Sequence, residues 1–495
     1  MSPRFWEILP GTLSWLTLAT LFVASWYFPL AVAVFIVLYD LHWLLKTLYL
    51  FLYLRFSFNL MRGRMQTDWL EKLKESGKDW ESVYHLVLLP MYKEPIEVVR
   101  ESLNSLNNIN FPKKKVLIVL ATEARGGIED AEIALKIQEE FKDCFGKFLI
   151  TSHPADLEGE APGKGSNETW AIKQALAEIV NPLQLNYSQV LTTVFDIDTR
   201  PGPDYFGVLT WEFLHVPHPQ HSSYQPIPLF TNNSFKVPVF ARLIGFSSSF
   251  WQLMQQGRPE QLVTFSSHSI PLQALVDVGF WDRDIVSEDS RIFFQCLNHY
   301  QGNWRAVPLY YPVSMDSVTG DNIFSALKNL YKQQRRWAWG IENIRYLGDK
   351  FLKNPQISKG KKIFWTWTAL EGFHSWSTSS FIIFIFGFLP NALGGPDFHT
   401  TVFSYNLPVL TGWLTNLSSL GIITSAFFSV ILLEPELRLT RFRHLRYVWY
   451  ALQWALIPFT FLIFSSLPAL EAQTRMMLGG RFRLGFWRTP KTKES

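Results

Sequence analysis

The stretch Leu191-Thr-Thr-Val-Phe-Asp196-Ile-Asp198-Thr-Arg200 decides the fold, because an apolar, β-branched run stops abruptly at two aspartates one residue apart. The run through Phe195 reads as a buried strand, so Asp196 and Asp198 fall at its carboxyl end. Open α/β sheets bind ligands there. In extended backbone, residues i and i+2 face the same way, and both carboxylates would then reach one cation or one phosphate group. An Asp-x-Asp ahead of Pro201-Gly202-Pro203 equally suits a turn capping the following loop.

Outward from this stretch, strand-like and helix-like segments alternate. Tyr84 to Leu89 is a β run, Ile96 to Asn107 has helical spacing, and Lys115 to Ala121 is a second β run. Ile128 to Phe141 is helical, Phe148 to Ser152 a short strand, and Asn167 to Val180 a helix leading into the Gln189 to Phe195 strand. This alternation predicts an α/β domain with a largely parallel sheet over residues 84–350.

The flanks differ in kind. Hydrophobic residues make up 48% of the chain and charged residues only 18%, and the imbalance sits in a few places. No Asp, Glu, Lys or Arg occurs from Ile8 to Tyr39, from Ser375 to Pro396, from Phe398 to Leu433 or from Tyr447 to Leu470. A helix needs about 20 apolar residues to cross a bilayer, so the chain is expected to be an integral protein of the cell membrane. The first run lacks a small-residue cleavage site and reads as an anchor.

Residues 1–60 are expected to form a transmembrane hairpin, Thr12 to Phe28 and Leu30 to Leu54, broken near Pro29. Within it Asp40, His42 and Lys46 ask for an interface or a partner helix. Residues 61–83 form a juxtamembrane linker whose Arg62 and Arg64, with Arg55, place the 84–350 domain in the cytoplasm by the positive-inside rule. Residues 351–471 hold an interfacial or entering helix, Ile363 to Trp376, carrying Glu371 and His374. Spans follow at Ser377 to Pro390, Leu407 to Leu433 and Tyr447 to Leu467. The loop with Arg438, Arg441, Arg443 and Arg446 and the basic tail 472–495, with Arg475, Arg481, Arg483, Arg488, Lys491 and Lys493, both want the cytoplasm. One span separates them, so parity fails: either the Tyr447 to Leu467 segment, interrupted by Pro458, re-enters or forms a short hairpin, or the positive-inside rule does not hold here.

Cys144 and Cys296 have neither zinc nor disulfide spacing, which suits a reducing compartment. A formal charge of +4 is too mild to imply nucleic acid, and the basic residues cluster beside the apolar runs.

Four further stretches carry chemistry. Pro90-Met-Tyr-Lys-Glu94-Pro brings a carboxylate to a strand end, although such turns often hold Pro and Glu. In Gly163-Lys-Gly-Ser-Asn167 a flexible loop opens a helix, where backbone amides and Lys164 suit phosphate. Val286-Ser-Glu288-Asp289 starts a helical segment; it fits dipole capping and it fits a general base for a sugar hydroxyl. In Gln333-Gln-Arg-Arg336-Trp337, Gln333, Arg336 and Trp337 share one helical face, either as a basic interfacial anchor or as a platform for a diphosphate and an acceptor sugar. Trp337 and the aromatics around His268 and Trp281 either stack on sugar faces or pack in the core.

Taken in this order on a membrane frame, the stretches resemble the processive branch of the family 2 glycosyltransferases, the cellulose, chitin and hyaluronan synthases. The resemblance rests on Asp196-x-Asp198, Glu288-Asp289 and Gln333-x-x-Arg336-Trp337. It implies a GT-A-like nucleotide-sugar-binding domain inserted between N- and C-terminal transmembrane helices, using a UDP-linked donor with Mg2+ or Mn2+ and a polysaccharide or lipid-linked acceptor. Under it Glu94, Glu123, Lys164 and Asp196 serve the donor, and Asp198 with Asp196 the metal. Asp289 is the catalytic base for a single inverting displacement, and Glu288, Gln333, Arg336 and Trp337 hold the diphosphate and acceptor. Glu123 stands where the family commonly has an aspartate that reads uridine. Lys164-Gly-Ser-Asn167 reorders a Lys-x-Gly-Asn stretch. Phe486-Trp-Arg488-Thr-Pro-Lys491 is similar to the gating stretch of cellulose synthases, with Arg488 in place of valine; a tail that gates must be cytoplasmic. Three other readings compete: transfer of one sugar to a lipid carrier; a transporter with a nucleotide-binding regulatory domain, which the nearly charge-free C-terminal spans disfavour; and a catalytically dead scaffold, which gives no reason for all the acidic positions.

Overall fold

A computed structural model describes residues 2–437, 443–485 and 487–490. Arg438, Arg441, Phe486, Lys491 and Lys493 lie outside the described residues. The middle of the chain forms an eight-stranded sheet in the order β3-β2-β1-β4-β7-β6-β8-β5. These strands are β1 Tyr84–Pro90, β2 Val116–Glu123, β3 Lys147–His153, β4 Val190–Val194, β5 Arg200–Pro201, β6 Ser222–Leu229, β7 Ser269–Pro271 and β8 Arg305–Ser314.

Burial explains the first four. Leu86 to Leu89 of β1 are wholly buried and split between two cores by side-chain alternation. Leu86 and Leu88 pack with Leu117, Val119, Ile172 and Phe293 on one face. Val87 and Leu89 pack with Ile118, Leu120, Leu103 and Ile137 on the other. Helices cover both faces, so β3, β2, β1 and β4 run parallel as apolar strands.

The rest of the sheet corrects the expectation of a largely parallel one. β7 pairs antiparallel with β4 and β6, β8 lies parallel to β6, and β5 closes antiparallel on β8. The sequence concealed this because β7 has three residues, β5 has two, and β6 carries Pro226 and Pro228 with a register irregularity between Gln225 and Ile227.

Long apolar helices frame the sheet. Pro3–Tyr27 and Pro29–Met65 break at Phe28, and the second runs well past the expected Leu54. Lys359–Phe384 is one continuous helix rather than an interfacial helix followed by a span, and it bends by 44° into Phe386–Leu393. Among the described residues, four helices are long and apolar enough to cross a membrane, or up to five if that bent pair is one span. Small and polar groups join the helices: Ser14 to Ser377 at 2.8 Å, Thr17 to His374 at 3.0 Å and Ser466 to Ser380 at 3.0 Å. Lys46 meets Glu371 at 3.1 Å, the partner-helix arrangement its position asks for.

The last helical run, from Arg443 to Leu478, makes no hairpin at Pro458, which sits harmlessly in the first turn of Ile457–Phe461. One side of it lies along the sheet domain. Arg242 donates to Gln453 at 2.6 Å, Phe240 faces Phe464 at 5.4 Å, and Tyr331 and Arg335 donate to Glu471 at 2.8 and 2.6 Å. Its other side meets Lys359–Phe384, with Trp376 donating to Ser465 at 2.8 Å and Gln473 to the Phe373 carbonyl at 2.8 Å. The run is thus wedged between the sheet domain and the long helices.

Truncating the sheet core at Leu88→Ala is expected to cost about 2–5 kcal/mol. A drop of several degrees in the thermal unfolding midpoint of the detergent-solubilised protein checks this; an unchanged midpoint contradicts the burial of β1.

Candidate active site

Lys164 is the hub of the strand-end cluster. It is the first residue of the helix Lys164–Ala175, which begins three residues before the expected Asn167. Its ammonium lies 2.7 Å from Asp196, 3.4 Å from Glu168 and 3.7 Å from Glu288. Burial works against that charge, but the carboxylates of Asp196, Glu168, Glu288 and Asp289 outweigh it and hold the lysine protonated well above its ordinary range. Burial in turn pushes Glu168 well above the usual carboxylate range, with Lys164 pulling the other way.

Glycine explains the close approach. A Cβ on Gly165 would stand 2.7 Å from the Asp282 carbonyl and 3.0 Å from the Glu288 Cβ. Only a residue without a side chain lets the start of this helix come so near the Glu288–His299 helix. Asn167 anchors it from behind by donating to the Ala121 carbonyl at 2.8 Å.

Glu288 and Asp289 occupy the first turn of their helix, one residue pair earlier than the expected Ser290 start. Their environments separate them. Glu288 is buried, and burial together with neighbouring Asp289 pushes its pKa to about 8. Asp289 is partly accessible; burial raises it while Lys164 and Arg336 pull it down. Lys164 and Arg336 thus oppose the upward push of burial on both carboxyls, and Glu288 is pushed the further into the neutral range.

The aspartate pair departs from the extended geometry. β4 ends at Val194, and the Thr199 N–H donates to the Asp196 carbonyl at 2.8 Å, so Asp196 to Thr199 form a turn. Asp196 receives Lys164 and the Ser266 hydroxyl at 2.5 Å. Asp198 is buried and accepts the Asp316 N–H at 3.0 Å. Two hard carboxylates on one turn match the donor set that Mg2+ or Mn2+ takes when phosphate oxygens complete the shell. Among the described residues, no three His, Cys, Asp or Glu side chains are grouped to hold an ion by themselves.

The remaining residues fall into two groups. Gln333, Arg336 and Trp337 lie on the helix Ile323–Ala338, which a capping box at Asn322 starts. Gln333 is buried, Arg336 acts electrostatically on Glu288 and Asp289, and Trp337 packs between Phe230 at 5.6 Å and Phe265 at 6.0 Å. Glu94 and Glu123 form a separate group at the β1–β2 edge. Glu123 pairs with Arg125. Glu94 is buried and lies 3.8 Å from Arg488 of the tail, which also donates to the Tyr92 carbonyl at 2.9 Å. Trp487 lies under Lys332, 5.1 Å from ammonium to ring. Beside this contact lies an open cleft of about 790 Å³ lined in part by Lys93, Lys328, Lys332 and Arg488.

Of the two aromatics, Trp281 is 2% exposed and belongs to the core. His268 is buried too; its Nδ1 donates to the Phe265 carbonyl at 2.9 Å, and burial lowers its pKa to about 3. Sequence reasoning passed over Glu168, Ser266 and Asp316. Glu168 had a signal, one helical turn after Lys164. The other two come from loops that meet the aspartate turn only in the folded chain.

A mixed sheet with carboxylates gathered at strand ends and framed by long apolar helices defines a GT-A-like glycosyltransferase domain. The family described as glycosyl transferase family group 2 matches residues 191–470, more than half of the chain, and the chain belongs to that family. The cellulose synthase catalytic subunit [UDP-forming] of Xanthomonas axonopodis pv. citri (strain 306) is 25% identical over 295 residues, 57% of this chain and 34% of that protein. The chain thus spans about a third of the length of this curated relative. Among solved structures, the mannosyltransferase PcManGT from Pyrobaculum calidifontis in complex with GDP-Man and Mn2+ aligns with TM-score 0.40 and 11% identity, over 86% of this chain and 99% of that one. S. aureus TarS 1-349 in complex with UDP-GlcNAc aligns with TM-score 0.36 and 15% identity, over 68% of this chain and 90% of that one.

Replacing Lys164 by Met leaves its carboxylates without their buried cation, which is expected to cost about 3–5 kcal/mol. Thermal unfolding checks this, and a variant as stable as the parent contradicts the hub.

Proposed function

We propose that this family 2 enzyme is a membrane-embedded, inverting polysaccharide synthase, moving a sugar from a UDP-linked donor to a growing chain. The observation that carries the reading is the gathering of partly accessible Asp289 and buried Glu288 at one helix start beside Lys164, with Arg336 near enough to act on both carboxyls. Asp289 takes the proton of the acceptor hydroxyl as that oxygen attacks the anomeric carbon, a contribution of about 10²–10⁴-fold. Arg336 and Lys164 face the charge that grows on the departing diphosphate, with Gln333 beside them. Asp196 and Asp198 hold Mg2+ or Mn2+, which when bound neutralises diphosphate charge. The basic cleft beside Glu94 suits the approach of a polyanionic donor, and Glu94 and Glu123 contact its nucleoside. Trp337 supplies an aromatic surface for the acceptor.

The helix arrangement supports a cytoplasmic catalytic domain. One side of the run from Arg443 to Leu478 holds the sheet domain against the long helices, and Arg488 of the basic tail touches the Tyr92 loop, which puts tail and catalytic domain on one side. The 25% identity to a cellulose synthase catalytic subunit favours a polymer product over a single lipid-linked sugar.

Incubating the purified full-length protein with a panel of UDP-sugars and Mn2+, then sizing the product, tests the reading. Polymer is expected; a single-sugar lipid product contradicts the synthase, and no turnover contradicts the function. Asp289→Asn is expected to lower kcat by about 10²–10⁴-fold with donor KM kept, and wild-type turnover would overturn the base assignment. Because burial raises Asp289 and the base must be ionised, kcat should rise with pH along an acid limb above the ordinary carboxylate value of about 4. A pH–kcat curve flat down to that value contradicts this.

A further inference from the structure

The segment that follows the Gln333–Trp337 stretch reaches back across the site. A short turn, Trp339–Glu342, continues directly from the helix Ile323–Ala338. One carboxylate oxygen of Glu342 accepts three hydrogen bonds: from the Val286 N–H at 3.0 Å, the Ser287 N–H at 2.9 Å and the Ser287 hydroxyl at 2.6 Å. The other oxygen accepts the Trp339 indole N–H at 3.1 Å. The next residue, buried Asn343, donates to the Ser290 hydroxyl at 2.9 Å and accepts from Arg291 at 2.7 Å.

Glu342 therefore grips the two residues before Glu288, and Asn343 the two residues after Asp289. Amides at the start of a helix lack intrahelical partners, and here a carboxylate from another element satisfies the loop that leads into one. Ser287, the residue before this helix, caps it with no side-chain hydrogen bond of its own. Its hydroxyl is turned to Glu342 instead.

We propose that Glu342 is a positioning residue that fixes the Glu288-Asp289 turn to the helix bearing Arg336, with Asn343 as the second point of attachment. This rests on the reading of Asp289 as the base. Base and leaving-group cation come from separate helices, and transfer needs both held in one geometry. A misplacement of about 1 Å at a reacting group can cost around a hundredfold in rate. Glu342 bonds to Val286 and Ser287 rather than to the Asp289 carboxylate, so it acts through the backbone that carries the base. A glutamine at this position keeps an acceptor oxygen for the Val286 and Ser287 donors, so the role requires the hydrogen bonds rather than the charge.

The test uses the full-length protein in detergent with UDP-glucose and UDP-N-acetylglucosamine, Mn2+ and four variants: E342A, E342Q, S287A and D289N. For E342A, kcat is expected to fall by about 10–100-fold with donor KM within about twofold. E342Q should stay within about threefold of the parent, because the acceptor remains. Equal losses in E342Q and E342A, or a loss in E342A carried by donor KM alone, overturn the positioning role. Parental kcat in E342A with D289N inactive overturns it and leaves the base assignment standing. D289N at parental kcat, or a parent that turns over neither donor, overturns the reading of the site and this inference with it. If E342A does not fold, S287A decides: a kcat loss with KM kept supports the clamp, and an unchanged kcat overturns it.

Discussion

The ammonium of Lys164 is the interaction on which the rest of the site depends. Several carboxylates converge at the strand ends, and like charges so close in a low-dielectric pocket cannot all ionise without a cation among them. Lys164 reaches Asp196, Glu168 and Glu288 from one position at the mouth of its helix. Around it the carboxyls differ: burial pushes Glu168 and Glu288 up against the pull of the ammonium, while Asp196 pairs with it at 2.7 Å. The flanking glycine follows from the same requirement, since the lysine's helix must nearly touch Glu288.

Around that hub the sheet domain is tied to the long helices through charged groups rather than apolar packing alone. Glu471 takes Arg335 and Tyr331 of the helix that also carries Arg336. Arg242 reaches Gln453 on the same C-terminal run. A shift of that run would thus be felt at Arg335, one residue away from Arg336. The strand-end cluster and the long helices are in this way mechanically linked.

Much of this architecture was legible before folding. The runs Tyr84 to Leu89 and Lys115 to Ala121 are apolar on both faces, and both are parallel strands buried between helices. Local propensity placed Ile96–Asn107 to the residue. The far half of the sheet was hidden because β5 and β7 are too short to show a period and the prolines of β6 obscure a strand. The aspartate pair proved to be both a turn and part of a charged cluster, so the two readings of Asp196-Ile-Asp198 were not exclusive. Glu342 and Ser266 act through contacts between elements distant in sequence, and such contacts leave no local pattern.

The central claim is a single displacement with Asp289 as base, and the stereochemistry of the product tests it most directly. Proton NMR of the linkage formed from an α-linked UDP-sugar reads the anomeric configuration. One direct attack predicts a β-linkage. An α-linkage would contradict the account, because retention requires a second nucleophile or a front-side path that the proposed role of Asp289 does not provide.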